Sequence, residues 1–238
     1  MPGTSRGVLS LLIATAAVYV LQIIPGLGVW ILHYGALVPA KVFTGAQLWR
    51  LASYMFIHDP VNALHLLFNM LALWMFGLEL ERLWGTRFFV RYYLVTGVGA
   101  ALTTVMLSLL PLGFAEDIYR AVTVGASGAI YGLLLAYGLT YPNRPIYMYF
   151  VFPIPAKIFV LIIGAISFFS SVTGTGGGVA HATHLGGIVV GYVYLLWTGS
   201  QFTSTLRSQW LRWRMTRLRK KFDVHPGGRT GGPDRWVH

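Results

Sequence analysis

The 238-residue chain contains no cysteine. That excludes disulfides, iron–sulfur clusters and thiol catalysis, and the redox compartment cannot be read. Charge is scarce too. Asp, Glu, Lys and Arg make up 11% of the residues, against about 25% in an ordinary soluble domain. A water-soluble domain of this size would have too few charges to cover its surface, and a disordered chain is not this apolar. No His-Glu-x-x-His occurs, which argues against a helix-borne zinc protease. What remains is 55% hydrophobic, with 28 Gly and 8 Trp and a mean hydropathy of +0.63. Glycine and tryptophan at this level suit membrane helices and their interfacial belts. The composition reads as an integral membrane protein.

The net charge of +11 is unevenly spread. The segment from Thr203 to the end holds nine Lys/Arg (Arg207, Arg212, Arg214, Arg217, Arg219, Lys220, Lys221, Arg229 and Arg235) against Asp223 and Asp234. In an apolar chain such a stretch suits anionic lipid headgroups better than nucleic acid. We therefore expect a membrane domain over residues 1–202 and a basic tail over 203–238.

A spanning helix needs about 20 mostly apolar residues. Stretches free of Asp, Glu, Lys and Arg begin with Gly7–Ala40, whose helix ends at Pro25-Gly26. It starts with one Arg and lacks a small-residue cleavage site, so it reads as a retained helix rather than a signal peptide. Further stretches are Pro60–Leu78, Tyr92–Ala115 and Ala121–Asn143. The charge-free run Ile158–Leu206 is too long for one span, and Thr173-Gly-Thr-Gly-Gly-Gly178 breaks it in two. The sum is an all-α membrane protein of six transmembrane helices, with no internal repeat. Residues Gly26 to Asp59 are aromatic but irregular, and read as an ordered interfacial loop between helices one and two.

Six crossings put both termini on one side. With the N-terminus inside, inner segments hold fifteen Lys/Arg and outer segments only Lys41, Arg50 and Arg120. The positive-inside rule then predicts both termini cytoplasmic.

Strongly polar groups inside membrane helices are costly, so each is a functional candidate. The second segment carries His65 and Asn69, the fourth Ser127, the sixth His181 and His184. All three helices run from outside to inside. Ser127 and His184 then lie within roughly 10 Å of the outer ends of their helices. His65 and Asn69 share a face at i,i+4, as do Ser127 and Tyr131. Gly128 and Gly132 form one Gly-x-x-x-Gly pair, Gly187 and Gly191 another, and such pairs let backbones approach closely. A close approach would bring the serine hydroxyl to an imidazole, the arrangement that activates a nucleophile. The Asn69 amide, the His65 imidazole and backbone N–H groups at the start of the fourth helix could hold an oxyanion. No Asp or Glu lies in the outer halves of the helices, so a Ser-His dyad is expected rather than a triad. His181 is the competing base.

In order, the chain carries Trp49-Arg50, His65-x-x-x-Asn69, Glu81-x-x-x-Gly85, Gly125-x-Ser127-Gly128 and His184-x-x-Gly187-x-x-x-Gly191. This set resembles the rhomboid family of intramembrane serine proteases, in the six-helix prokaryotic form. The resemblance implies Ser127 as nucleophile and His184 as general base. It implies an oxyanion and substrate site formed with His65, Asn69, Gly125 and Ala126, with Tyr131 packed on the histidine and Phe68 near the substrate entrance. It further implies a serine endopeptidase of the bacterial inner membrane, without cofactor or metal. Its partners would be single-pass transmembrane proteins cut toward the extracytoplasmic side. Many relatives carry a histidine five residues before the helix-two histidine; here His58 stands seven before, and no role is carried to it. The competing readings are a small six-helix transporter or channel, and an inactive rhomboid-like substrate-binding protein. A transporter would more often show inverted repeats, and retention of both Ser127 and His184 argues against an inactive relative. Glu79, Glu81 and Arg82 are expected to form an inner-side capping or salt-bridge cluster.

Overall fold

The computed structural model describes residues 5–198, apart from 112, 114, 149–150 and 174–177, together with Met215. The basic stretch beyond Thr203 otherwise lies outside the described residues. The fold is mostly helical. Long helices are α1 (Arg6–Ile23), α5 (Ala63–Trp84), α6 (Thr86–Ser108), α8 (Ser127–Thr140), α9 (Ala156–Thr173) and α10 (Gly178–Trp197). Of these, α1, α5 and α6 are long and apolar enough to cross a membrane, and α8 is a shorter apolar helix. Helix α10 packs against α6, α8 and α9, and α5 packs against α8, α1 and α6. The core sits around α8, where Gly128, Ala129, Ile130, Leu133, Leu134, Ala136 and Tyr137 are all buried.

Helix α1 has no cap of its own: Ser5 makes no side-chain capping bond. The cap comes from α5. Glu81 is 3% exposed, and its two carboxylate oxygens accept the Gly7 and Val8 amides, each at 2.8 Å. Thr86 Oγ1 donates to the same carboxylate at 2.6 Å. Orphan N–H groups at a helix N-terminus favour such an anion. The expected acidic cluster therefore divides. Glu81 caps a neighbouring helix, whereas Glu79 pairs with Arg144, whose guanidinium lies over the Tyr141 ring.

The segment expected as an interfacial loop is built from short helices: α2 (Leu27–Gly35), α3 (Pro39–Gly45), α4 (Arg50–Ser53) and a 3-10 turn at Tyr54–Phe56. Their organiser is Arg50, which is 1% exposed. Its guanidinium donates to the carbonyls of Ala36 and His33 and to the Gln47 side chain. Trp49 Nε1 donates to Tyr34 O at 2.9 Å, and Ser53 Oγ to Gly35 O at 2.6 Å. This segment then guides the chain into α8. Leu37 and Thr123 exchange two backbone bonds at 3.0 and 2.9 Å, and the Gly125 amide donates to Tyr54 O at 3.0 Å.

Two further elements escape the sequence reading. A short helix, α7 (Ala115–Arg120), precedes α8. A hairpin of β1 (Pro145–Met148) and β2 (Phe152–Pro155) joins α8 to α9, pairing antiparallel from Pro145↔Pro155 to Met148↔Phe152.

Candidate active site

Ser127 is the first residue of α8, and the buried Ala126 stands at its N-cap. The first N–H groups of a helix have no carbonyl one turn earlier, so those of Ser127, Gly128 and Ala129 have no intrahelical acceptor at the helix end that carries the serine. Gly125 turns the chain into the helix at φ 115°, a left-handed value that favours glycine. Its missing side chain also makes room. A Cβ there would come within 2.8 Å of His65 Cε1 and Nε2, and 3.9 Å of Ser127 Oγ. The His65 ring thus packs over Gly125, beside the serine.

The second partner arrives on α10. His184 Nε2 lies 2.8 Å from Ser127 Oγ, 57 residues away in sequence. Glycine permits this approach. A Cβ on Gly187 would collide with the Gly128 carbonyl, and one on Gly191 would sit 3.2 Å from Gly132 Cα and press on the Tyr92 hydroxyl. Helices α8 and α10 therefore touch backbone to backbone next to the serine, as small residues allow. The Thr104 and Thr183 hydroxyls, both buried, bond at 2.8 Å and tie α10 to α6 one residue before His184.

The imidazole of His184 is held by stacking. The Tyr131 ring lies 4.1 Å away at 10°, nearly parallel. On its far side Tyr131 Oη accepts from Ser167 Oγ of α9 at 3.2 Å. His184 Nδ1 is buried and makes no hydrogen bond. For Nε2 to accept the serine proton, Nδ1 must carry the other one. His181 stands edge-on to His184 with ring centroids 5.5 Å apart.

Asn69 is 7% exposed and donates through Nδ2 to the His65 carbonyl one turn earlier, at 2.7 Å. One amide proton of Asn69 stays free of that bond. Phe68 is 63% exposed on the outer face of α5. His58 adjoins the site unexpectedly. It is fully buried, and its ring centroid lies 5.2 Å from that of His65. Its backbone is clamped by Gln22 of α1, which donates to His58 O at 2.9 Å and accepts from His58 N at 3.1 Å. Burial pushes the His58 imidazole down to about 4, and the neighbouring His65 adds to the shift. Sequence reading passes over Gln22, Thr104 and Ser167, because each acts only through a partner distant in the chain. Among the described residues no cluster of three His, Asp or Glu could hold a metal ion.

The comparisons with known proteins agree on one family. The rhomboid domain matches residues 45–201. Rhomboid protease AarA of Providencia stuartii is 30% identical over 175 residues, covering 66% of this chain and 58% of that protein. Rhomboid protease GluP of Bacillus subtilis is 31% identical over 146 residues, covering 61% and 25%. RHOMBOID-like protein 7 of Arabidopsis thaliana is 33% identical over 180 residues, covering 71% and 49%. The chain thus matches between a quarter and three-fifths of the length of these relatives.

Proposed function

The chain belongs to the rhomboid family, and on that premise we propose that it is a serine endopeptidase cutting single-pass membrane proteins within the bilayer. The supporting observation is the 2.8 Å approach of Ser127 Oγ to His184 Nε2 at a helix N-terminus. In this reading Ser127 Oγ attacks the scissile carbonyl while Nε2 takes its proton. The carbonyl oxygen becomes an oxyanion, held by the α8 N-terminal amides, the free Asn69 N–H and the His65 imidazole. His184 then protonates the leaving amine, and the acyl-enzyme forms. A water deprotonated by His184 releases the second product and restores the serine.

Among the described residues no carboxylate bonds to the His184 ring. The Tyr131 stack and the α8–α10 contact orient the base instead, so the site works as a dyad. Gly125 and Ala126 line the substrate side, and Phe68 stands at the entrance. Our topology is six crossings over residues 1–202 of a bacterial inner membrane, both termini cytoplasmic, with the basic 203–238 stretch on anionic lipid. Helix α8 has 14 residues, about 21 Å of rise against a hydrocarbon core of about 30 Å. Its short length recesses Ser127 below the outer surface and favours cleavage toward that side.

The test is cleavage of a labelled transmembrane substrate by purified protein, beside Ser127→Ala and His184→Ala. Wild type should cut and both variants should fall to background. A serine-directed fluorophosphonate should mark wild type and not Ser127→Ala. Absence of cleavage across a range of substrates favours an inactive substrate-binding relative. Cleavage or labelling that survives Ser127→Ala places the nucleophile elsewhere.

A further inference from the structure

The β1–β2 hairpin lies at the end of α8 opposite Ser127 and takes no part in the chemistry proposed above. From Pro145 to Ala156 the chain carries no Asp, Glu, Lys or Arg, while Arg144 and Lys157 flank it. The hairpin has two unlike faces. Ile146 is 8% exposed and pairs with the half-buried Ile154, facing the protein. Tyr147 is 58% exposed and pairs with the exposed Pro153. Next to the turn, Val151 and Phe152 are 65% and 64% exposed, although the register puts Phe152 on the Ile154 face. A lone two-stranded hairpin is marginal in water, so one that also bares tyrosine, valine and phenylalanine is suited to another solvent.

We propose that this hairpin is a membrane-interface anchor, whose exposed Tyr147, Val151 and Phe152 enter the headgroup–acyl boundary of the leaflet remote from Ser127. Three observations favour a lipid surface over a protein. The apolar surface resumes on α9 just past Lys157, where Ile158, Leu161 and Ile162 are 43%, 71% and 40% exposed. Lys157 is exposed at that junction and meets anionic phosphates, while aromatic rings suit the headgroup depth. Pro153 and Pro155 remove two of the four β2 N–H groups, so another strand gains little by adding to this edge. The root is rigid. Ala156 N donates to Arg144 O at 2.9 Å and Lys157 N to Pro142 O at 3.1 Å, and Arg144 is pinned between Glu79 and Tyr141. The anchor therefore fixes the depth at which α9 enters the bilayer.

The absence of cysteine makes a clean test. Val151→Cys is spin-labelled in the full chain, reconstituted in phosphatidylcholine vesicles containing a minor fraction of phosphatidylglycerol. Exposed Asn143→Cys serves as the water-facing reference. The ratio of collisions with oxygen to collisions with a water-soluble nickel chelate should rise severalfold at position 151 over position 143. It should fall back toward the reference when Tyr147→Ser and Phe152→Ser are added. Nickel access at 151 equal to that at 143 puts the hairpin in water and overturns the proposal. Shielding from both probes means protein covers the face, and also overturns it. An unchanged ratio in the double-serine background shows that those side chains do not hold the hairpin in lipid.

Discussion

Ser167 touches the site only through Tyr131, yet that contact links α9 to the ring that stacks on His184. One such hydrogen bond is worth about 1 kcal/mol, or about fivefold in rate. Ser167→Ala should therefore lower kcat about fivefold with little change in KM. Tyr131→Phe keeps the stack and loses the hydroxyl, so it should cost the same. A double variant no slower than either single one shows that the two hydroxyls act as a unit; additive losses would separate them. His58 makes a second residue-scale prediction, about pH. Its imidazole is neutral when buried and titrates near 4, against about 6.5 in the unfolded chain. Between these values the unfolded state binds more protons, so stability falls as pH drops through this window. The loss approaches about 3 kcal/mol near pH 4 and fades above about pH 7. Thermal midpoints in detergent should show that slope, and His58→Gln should make it shallower. Ser127, His184, His65 and Asn69 stand out in the sequence because polar groups are rare inside apolar segments. Ser167 and Gln22 do not, because one hydroxyl or amide on a helix reads as packing until its partner is seen.

At the scale of elements, the contact between α8 and α10 rests on single missing methyl groups. Gly187→Ala drives a Cβ into the Gly128 carbonyl, which is backbone and has nowhere to move. The variant should lose both thermal stability and cleavage. Gly164→Ala on α9 is its control, since a Cβ there meets only Ile188 Cδ1 at 3.7 Å. With helix propensity in its favour, that variant should be as stable as wild type or better. Glu81→Ala removes the cap of α1 and leaves two amides and a threonine hydroxyl unpaired. Bonds to a charged group contribute about 1.5–3 kcal/mol each, so the midpoint should fall by many degrees while Glu79→Ala changes little. Stretches free of charged residues overlap α1, α5, α6, α8, α9 and α10, with one end of α5, α6 and α8 displaced by about six residues. Sequence reading missed the structure of Gly26–Asp59 because each helix there is under ten residues and is held by Arg50 rather than by its own pattern. It missed the hairpin because the apolar run Ile146–Phe152 lacks the apolar–polar alternation that marks a half-buried strand. Only the pairing of Ile146 with Ile154 shows the strands.

For the whole molecule, the side on which we propose that the site opens rests on charge. No single helix fixes orientation; the distribution of Lys and Arg among loops does, because cationic loops resist translocation. Placing the N-terminus inside leaves Lys41, Arg50 and Arg120 outside, and Arg50 is buried by its carbonyl partners. In that orientation the outer face keeps only Lys41 and Arg120 as accessible cations, while the opposite end carries Arg82, Arg87, Arg91, Arg144 and Lys157. This asymmetry makes one experiment decisive in a chain without cysteine. Asn62 is exposed just before α5, and Asn143 is exposed just after α8. The two positions lie at opposite ends of the bundle. In intact cells a membrane-impermeant maleimide should react with Asn62→Cys and spare Asn143→Cys until the membrane is permeabilised. The reverse pattern would turn the protein over. Ser127 would then open toward the cytoplasm, and cleavage would have to occur near the inner ends of substrate helices.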